Sequence, residues 1–126
     1  TLFRSYCTPS ADSSLSNSLY RRVNKANEEN VDLYVSIHFN GGRGDGTEVF
    51  AISESSKKTA KRVVDEIAQL GYVNRGVKDG SFLYLLKNTK MPAILVEAGF
   101  LNSKDDMERF NAENIANAIV NGITTF

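Results

Sequence analysis

The sequence predicts an α/β fold, a three-layer sandwich with a mostly parallel sheet and helices on both faces. Three observations carry that expectation. Segments with helical apolar spacing alternate with short segments rich in β-branched and aromatic residues. Ala93-Ile94-Leu95-Val96 is a continuous apolar run, the pattern of a strand covered on both sides. The chain has 126 residues, 41% of them hydrophobic, which is the size of one domain (1–126) with one core.

Each element has its own justification. Residues 1–12 pass from a short apolar stretch into Thr8-Pro9-Ser10-Ala11-Asp12-Ser13-Ser14, which offers turn chemistry and then a helix cap. Leu15, Leu19, Val23 and Ala26 then recur at spacings of four, four and three, predicting a surface helix that ends near Asn30. Val31 to Ile37 predicts a largely buried strand that delivers His38 at its carboxyl end. Gly41 to Gly46, with four glycines, predicts a mobile loop, and Thr47 to Ile52 the next strand. From Ser55 or Ser56 a second helix is expected, with Ala60, Val63, Val64, Ile67 and Leu70 on its buried side and Gly71 as its stop. Tyr72 to Lys78 suggests a turn or short strand, and Phe82 to Leu86 a strand. Ala93 to Val96 is expected to deliver Glu97. Ser103 followed by Asp106 predicts the cap of a last helix, with Met107, Phe110, Ile115, Ala118, Ile119 and Ile123 buried.

Charge and composition exclude several functions. Fifteen Lys and Arg balance fifteen Asp and Glu, so there is no net field to collect nucleic acid or anionic lipid. No apolar run approaches the roughly 20 residues of a membrane span, so neither nucleic acid nor membrane is an expected partner. A single cysteine, Cys7, cannot close an internal disulfide, and it reads as either a buried thiol or an incidental one.

Ligands of open α/β sheets gather beyond the carboxyl ends of strands, and two such ends carry chemistry here. One is Ser36-Ile37-His38-Phe39-Asn40-Gly41, with the only histidine of the chain; the other is Val96-Glu97-Ala98-Gly99. Alone, each has an ordinary reading as a structural imidazole or a solvated carboxylate. Together, a neutral imidazole suits zinc and a desolvated carboxylate suits proton transfer to and from an attacking water, which points to metal-assisted hydrolysis. Two groups do not complete a zinc site, which needs three protein ligands.

Five ordered blocks carry a family resemblance. They are Arg21 to Asn27, Asp32 to Asn40, Gly46 to Phe50, Arg75 to Lys78, and Pro92 to Asn102. In this order and spacing the chain resembles the zinc-dependent N-acetylmuramoyl-L-alanine amidases of bacterial cell-wall enzymes and phage endolysins, from about residue 15 to the end. The resemblance implies a peptidoglycan hydrolase, outside the cell or in the wall, that cleaves the amide between N-acetylmuramic acid and the L-alanine of the stem peptide. It implies one zinc ion held in part by His38, and Glu97 as the catalytic carboxylate. Asn40 is expected to shape the substrate site, and Arg75 and Lys78 to meet stem-peptide carboxylates. Glu48 matches a family position too, with a structural hydrogen-bonding role favoured.

The departure from the family is equally specific. Its members open with a Gly-His motif and a helix Glu that supply two zinc ligands, and this chain has neither. The resemblance therefore implies an N-terminally truncated catalytic domain, its other zinc ligands upstream of Thr1. Edges exposed by a missing strand are expected to pair with another chain, as an edge-strand dimer, or with an adventitious segment. The alternative is a catalytically incompetent domain that binds peptidoglycan without cutting it.

Overall fold

The computed structural model describes residues 15–124. The expected amino-terminal stretch, its helix cap and Cys7 lie outside the described residues, as does the side chain of Leu15.

In chain order the elements are α1 (Leu15–Glu28), β1 (Tyr34–Asn40), β2 (Thr47–Ala51), α2 (Glu54–Ala68), β3 (Asn74–Asp79), α3 (Tyr84–Lys87), β4 (Ala93–Phe100), α4 (Lys104–Arg109) and α5 (Ala112–Thr124). The four strands form one sheet in the order β1-β4-β2-β3. β1 runs parallel to β4 and β2 parallel to β3, while β2 and β4 are antiparallel. The sheet is thus mixed and mostly parallel, as expected.

Period-two alternation divides the strand residues between two layers. On one face Val49, Ala51, Ile94, Val96 and Ala98 pack against Ala60, Val63, Val64 and Ile67 of α2 and Ile115, Ala118 and Ile119 of α5. On the other, Ala93, Leu95, Tyr34 and Phe50 pack against Leu19 and Val23 of α1 and Leu85 and Leu86 of α3. Helices therefore cover both faces, and the three-layer expectation is met.

Local capping explains the helix limits. Ser53 Oγ accepts from Ser56 N at 3.2 Å and opens α2, and Gly71 adopts φ +109° two residues past its C-cap Gln69. Ser103 Oγ accepts from Asp106 N at 3.1 Å and opens α4.

Several boundaries differ from expectation. Phe82 to Leu86 is not a strand: the Leu83 carbonyl accepts from Leu86 N and Lys87 N and closes the short helix α3. A five-residue apolar run has no periodicity that separates the two forms, and the turn after Asp79 sends it over the sheet instead of beside it. The last helix is two helices. Phe110 takes extended backbone angles and breaks the run, and Asn111 Oδ1 accepts from Asn114 N to start α5. Phe110 is 45% exposed and packs its ring edge-on to Phe39, while Leu70 is 37% exposed, so neither is the buried residue expected. The loop from Gly41 to Gly46, expected to be mobile, is tied down. Asn102 Nδ2 donates to the carbonyls of Gly41 and Gly42, Ser103 bonds Asp45, and Gly46 N donates to Asp106 Oδ2. Most consequential for the site, β1 and β4 continue past their expected ends, so His38 and Glu97 lie inside strands.

Candidate active site

Polar residues at alternate positions of β1 place Ser36, His38 and Asn40 on the face that also carries Tyr34. α1 and α3 cover the lower part of this face, around Tyr34, Phe50 and Leu95. The next row toward the carboxyl ends of β1 and β4 is polar. His38 pairs in register with Glu97, and Glu97 with Glu48 on the other side. Three chemically loaded side chains therefore stand in one row across β1, β4 and β2, with neighbouring strands about 5 Å apart. Arg75 extends the row onto β3.

The two carboxylates have opposite surroundings. Glu48 is 5% exposed and fully engaged: Oε2 pairs with Arg75 Nε at 3.1 Å, and Oε1 accepts from Asn40 Nδ2 at 3.2 Å. Arg75 also lies over the Phe100 ring, 5.0 Å from its centre. Glu97 has no such support. Its Oε2 is buried and makes no hydrogen bond. Burial, reinforced by the negative charge of Glu48, holds its carboxyl above the usual carboxylate range. A like charge beside a desolvated acid favours the protonated form, so the pair separates into one anchored carboxylate and one poised to exchange a proton.

His38 is half-buried. Burial first, and then the positive charge of Arg22 on α1, lowers its pKa and keeps the imidazole neutral. Its Nε2 lies 2.6 Å from Ser36 Oγ.

The other site residues expected from sequence fall in graded positions. Asn40 holds Glu48 through its amide nitrogen and accepts from Gly42 N at 2.8 Å through Oδ1, so it joins the carboxylate row to the glycine loop. Arg75 is in the row, paired to Glu48. Lys78 is exposed on the edge strand β3, opposite Phe50 and thus one row further down the same face. Sequence reasoning passed over Ser36, although its same-face spacing from His38 was a signal, and over Asp106 in any role beyond the cap. Asp106 is wholly buried, and its Oδ2 accepts from both Gly46 N and Phe100 N at 2.9 Å. It thereby fastens the start of β2 and the end of β4, the two segments that carry Glu48 and Glu97.

His38 and Glu97 fit part of a metal-assisted site: a neutral imidazole can ligate, and an orphaned carboxylate oxygen beside it can take a proton. Among the described residues no three His, Cys, Asp or Glu side chains come together so as to hold a metal ion.

Comparison with known proteins finds relatives over most of the chain. The profile of the N-acetylmuramoyl-L-alanine amidase family matches residues 2–125. The chain is 40% identical over 97 residues to an uncharacterised protein of Clostridium perfringens, covering 71% of this chain and 29% of that protein. It is 33% identical over 121 residues to the N-acetylmuramoyl-L-alanine amidase LytC of Bacillus subtilis, covering 86% and 24% respectively. Its structure is similar to the catalytic domain of the CD27L endolysin targeting Clostridia Difficile, with a TM-score of 0.86 and 28% identity over 93% of this chain and 67% of that one. The chain spans less than two thirds of the length of both curated relatives. Matched over nearly its whole length, the chain belongs to the N-acetylmuramoyl-L-alanine amidase family.

Proposed function

We propose that this chain is a peptidoglycan amidase domain, hydrolysing the amide between the lactyl group of N-acetylmuramic acid and the L-alanine of the stem peptide. The observation that carries the reading is the buried, unbonded Oε2 of Glu97 beside the neutral His38. Glu97 takes a proton from water as the water oxygen attacks the amide carbon. When the carbon–nitrogen bond breaks, the same carboxyl gives that proton to the departing alanine nitrogen. Glu48, held by Arg75 and Asn40, keeps Glu97 ready for both transfers. Zinc is the cofactor of this proposal: His38 would supply one ligand, the others lying outside the described residues. When bound, the ion supplies Lewis acidity to the scissile carbonyl and the attacking water. Arg75 and Lys78 are proposed to meet stem-peptide carboxylates, with Asn40 shaping the rim.

Action at the cell wall, by a secreted or phage-released protein, follows from that substrate. Among the described residues no helix is long and apolar enough to cross a membrane. Self-association through an edge strand is also proposed; β1 and β3 are the sheet edges among the described residues, and gel filtration across a concentration series tests it.

Glu97→Ala in the full-length protein is expected to slow release of stem peptide from purified walls by about 10²–10⁴-fold while leaving zinc content unchanged. Lysis at the wild-type rate would end the proposal. The missing three-group cluster favours a second reading, a domain that binds peptidoglycan without cutting it. Zinc titration of the chain separates the two: stoichiometric binding supports hydrolysis, and retained wall binding without zinc supports the second.

A further inference from the structure

Phe82 is the most exposed large apolar side chain among the described residues, at 72%. A phenyl ring left in water forgoes the stabilisation that burial would give it. The turn that carries this ring is nevertheless tightly held. Leu83 N donates to the Gly80 carbonyl at 2.9 Å, and Gly80 N donates to the Ala51 carbonyl at 3.0 Å. Ser81 fastens the same turn by donating to the Asp79 carboxylate from both its hydroxyl and its backbone N–H. The Phe82 ring stands edge-on to Phe50, with centroids 5.8 Å apart. It is thus an apolar surface presented to solvent in a fixed place.

Its neighbours select the ligand. Phe50 lies two residues beyond Glu48 on the same face of β2, and the exposed Lys78 is in register with Phe50 on β3. Phe82 and Lys78 therefore both adjoin Phe50, in the row about 7 Å along the strands from the carboxylate row. An apolar ring and an ammonium together suit a ligand that carries an anion next to an aliphatic group. The glycan side of the scissile amide offers no anion there, because the lactyl carboxyl is itself the acyl group of that amide. The peptide side offers one, and about 7 Å is the reach of two extended residues. We propose that Phe82 and Lys78 form a subsite for the peptide on the leaving side of the scissile amide, Lys78 taking the carboxylate of its second residue and Phe82 the aliphatic side chain of its third. The subsite's place in catalysis rests on the amidase reading; its affinity for the peptide is measured without turnover.

The leaving peptide is the probe. L-alanyl-D-glutamyl-L-lysine titrated into the full chain is expected to shift the backbone amides of residues 78–84. The same peptide ending in glycine should bind about fourfold more weakly, the equivalent of one methylene taken out of water. Phe82→Ala is expected to abolish that preference, and Lys78→Met to weaken both peptides about threefold, as loss of an exposed ion pair does. Val120→Ala, at an exposed apolar position of α5, keeps the wild-type pattern. Backbone amide spectra confirm that each variant is folded. No shift at residues 78–84, or binding that ignores both Phe82→Ala and Lys78→Met, overturns the proposal. Shifts there with chitotetraose and none with the tripeptide overturn it in favour of a glycan site. Cleavage of N-acetylmuramoyl-peptides ending in lysine or glycine is scored separately in the full-length protein. Peptide binding as expected with no cleavage upholds the subsite and rejects the amidase reading, whereas cleavage with a lysine preference in kcat/KM that survives Phe82→Ala keeps that reading and rejects the subsite.

Discussion

Glu97 is where a single side chain sets behaviour, because its environment penalises the charge that its proposed role requires. To accept a proton it must first be ionised, so the acid limb of kcat/KM is expected above the ordinary carboxylate range. Glu48→Gln removes the neighbouring negative charge and should move that limb to lower pH, measured from pH profiles of wall-peptide release; an unmoved limb would mean that burial alone raises Glu97. The same strain has a consequence for stability. A carboxyl whose pKa is raised by folding binds more protons folded than unfolded, so its favourable contribution is present below the unfolded value and lost as pH rises through the folded one. Glu97→Gln should therefore raise the melting temperature near pH 7 and leave it almost unchanged near pH 4. Calorimetry at the two pH values checks this. The sequence singled out His38 and Glu97 as candidates, but the orphaned oxygen of Glu97 was not legible there, because hydrogen-bond satisfaction depends on neighbours from the two adjacent strands.

Among the elements, the α2–α5 layer shows how closely backbone approach is specified. Gly122 of α5 faces Val63 of α2, and a Cβ there would lie 2.7 Å from Val63 Cα and 2.8 Å from its Cγ2. Backbone cannot yield as a flexible side chain does. Gly122→Ala is expected to cost about 1–3 kcal/mol as the helices are forced apart, read as a lower urea midpoint with an unchanged slope. Helices α1 and α2 were legible because their apolar stripes persist for several turns. α3 was not, since its Leu85 and Leu86 are buried in either conformation and only the Leu83 carbonyl bonds decide the matter. The break at Phe110 was hidden for a related reason: apolar spacing runs through it, and the stop comes from a ring that turns outward to meet Phe39.

At the scale of the whole molecule, Asp106 connects parts distant in sequence. One buried carboxylate accepts from Gly46 N and Phe100 N and fixes the glycine loop, the start of β2 and the end of β4 relative to one another. Asp106→Ala is expected to cost about 3 kcal/mol, since two backbone donors to a charged acceptor are left unpaired, and to lower activity by disturbing the carboxylate row. Chemical denaturation together with wall-peptide release tests both effects. The sequence by itself determined the α/β class, the two covered sheet faces and the order of the motifs, because hydrophobic period is a local property of the chain. The tertiary structure decided that β2 runs against β4, that Glu48 stands next to Glu97, and that Arg75 and Asn40 are engaged in holding Glu48. Those outcomes depend on strand order and register, which set the dielectric and the charge around each group and are fixed only when segments up to 60 residues apart in the chain are brought together.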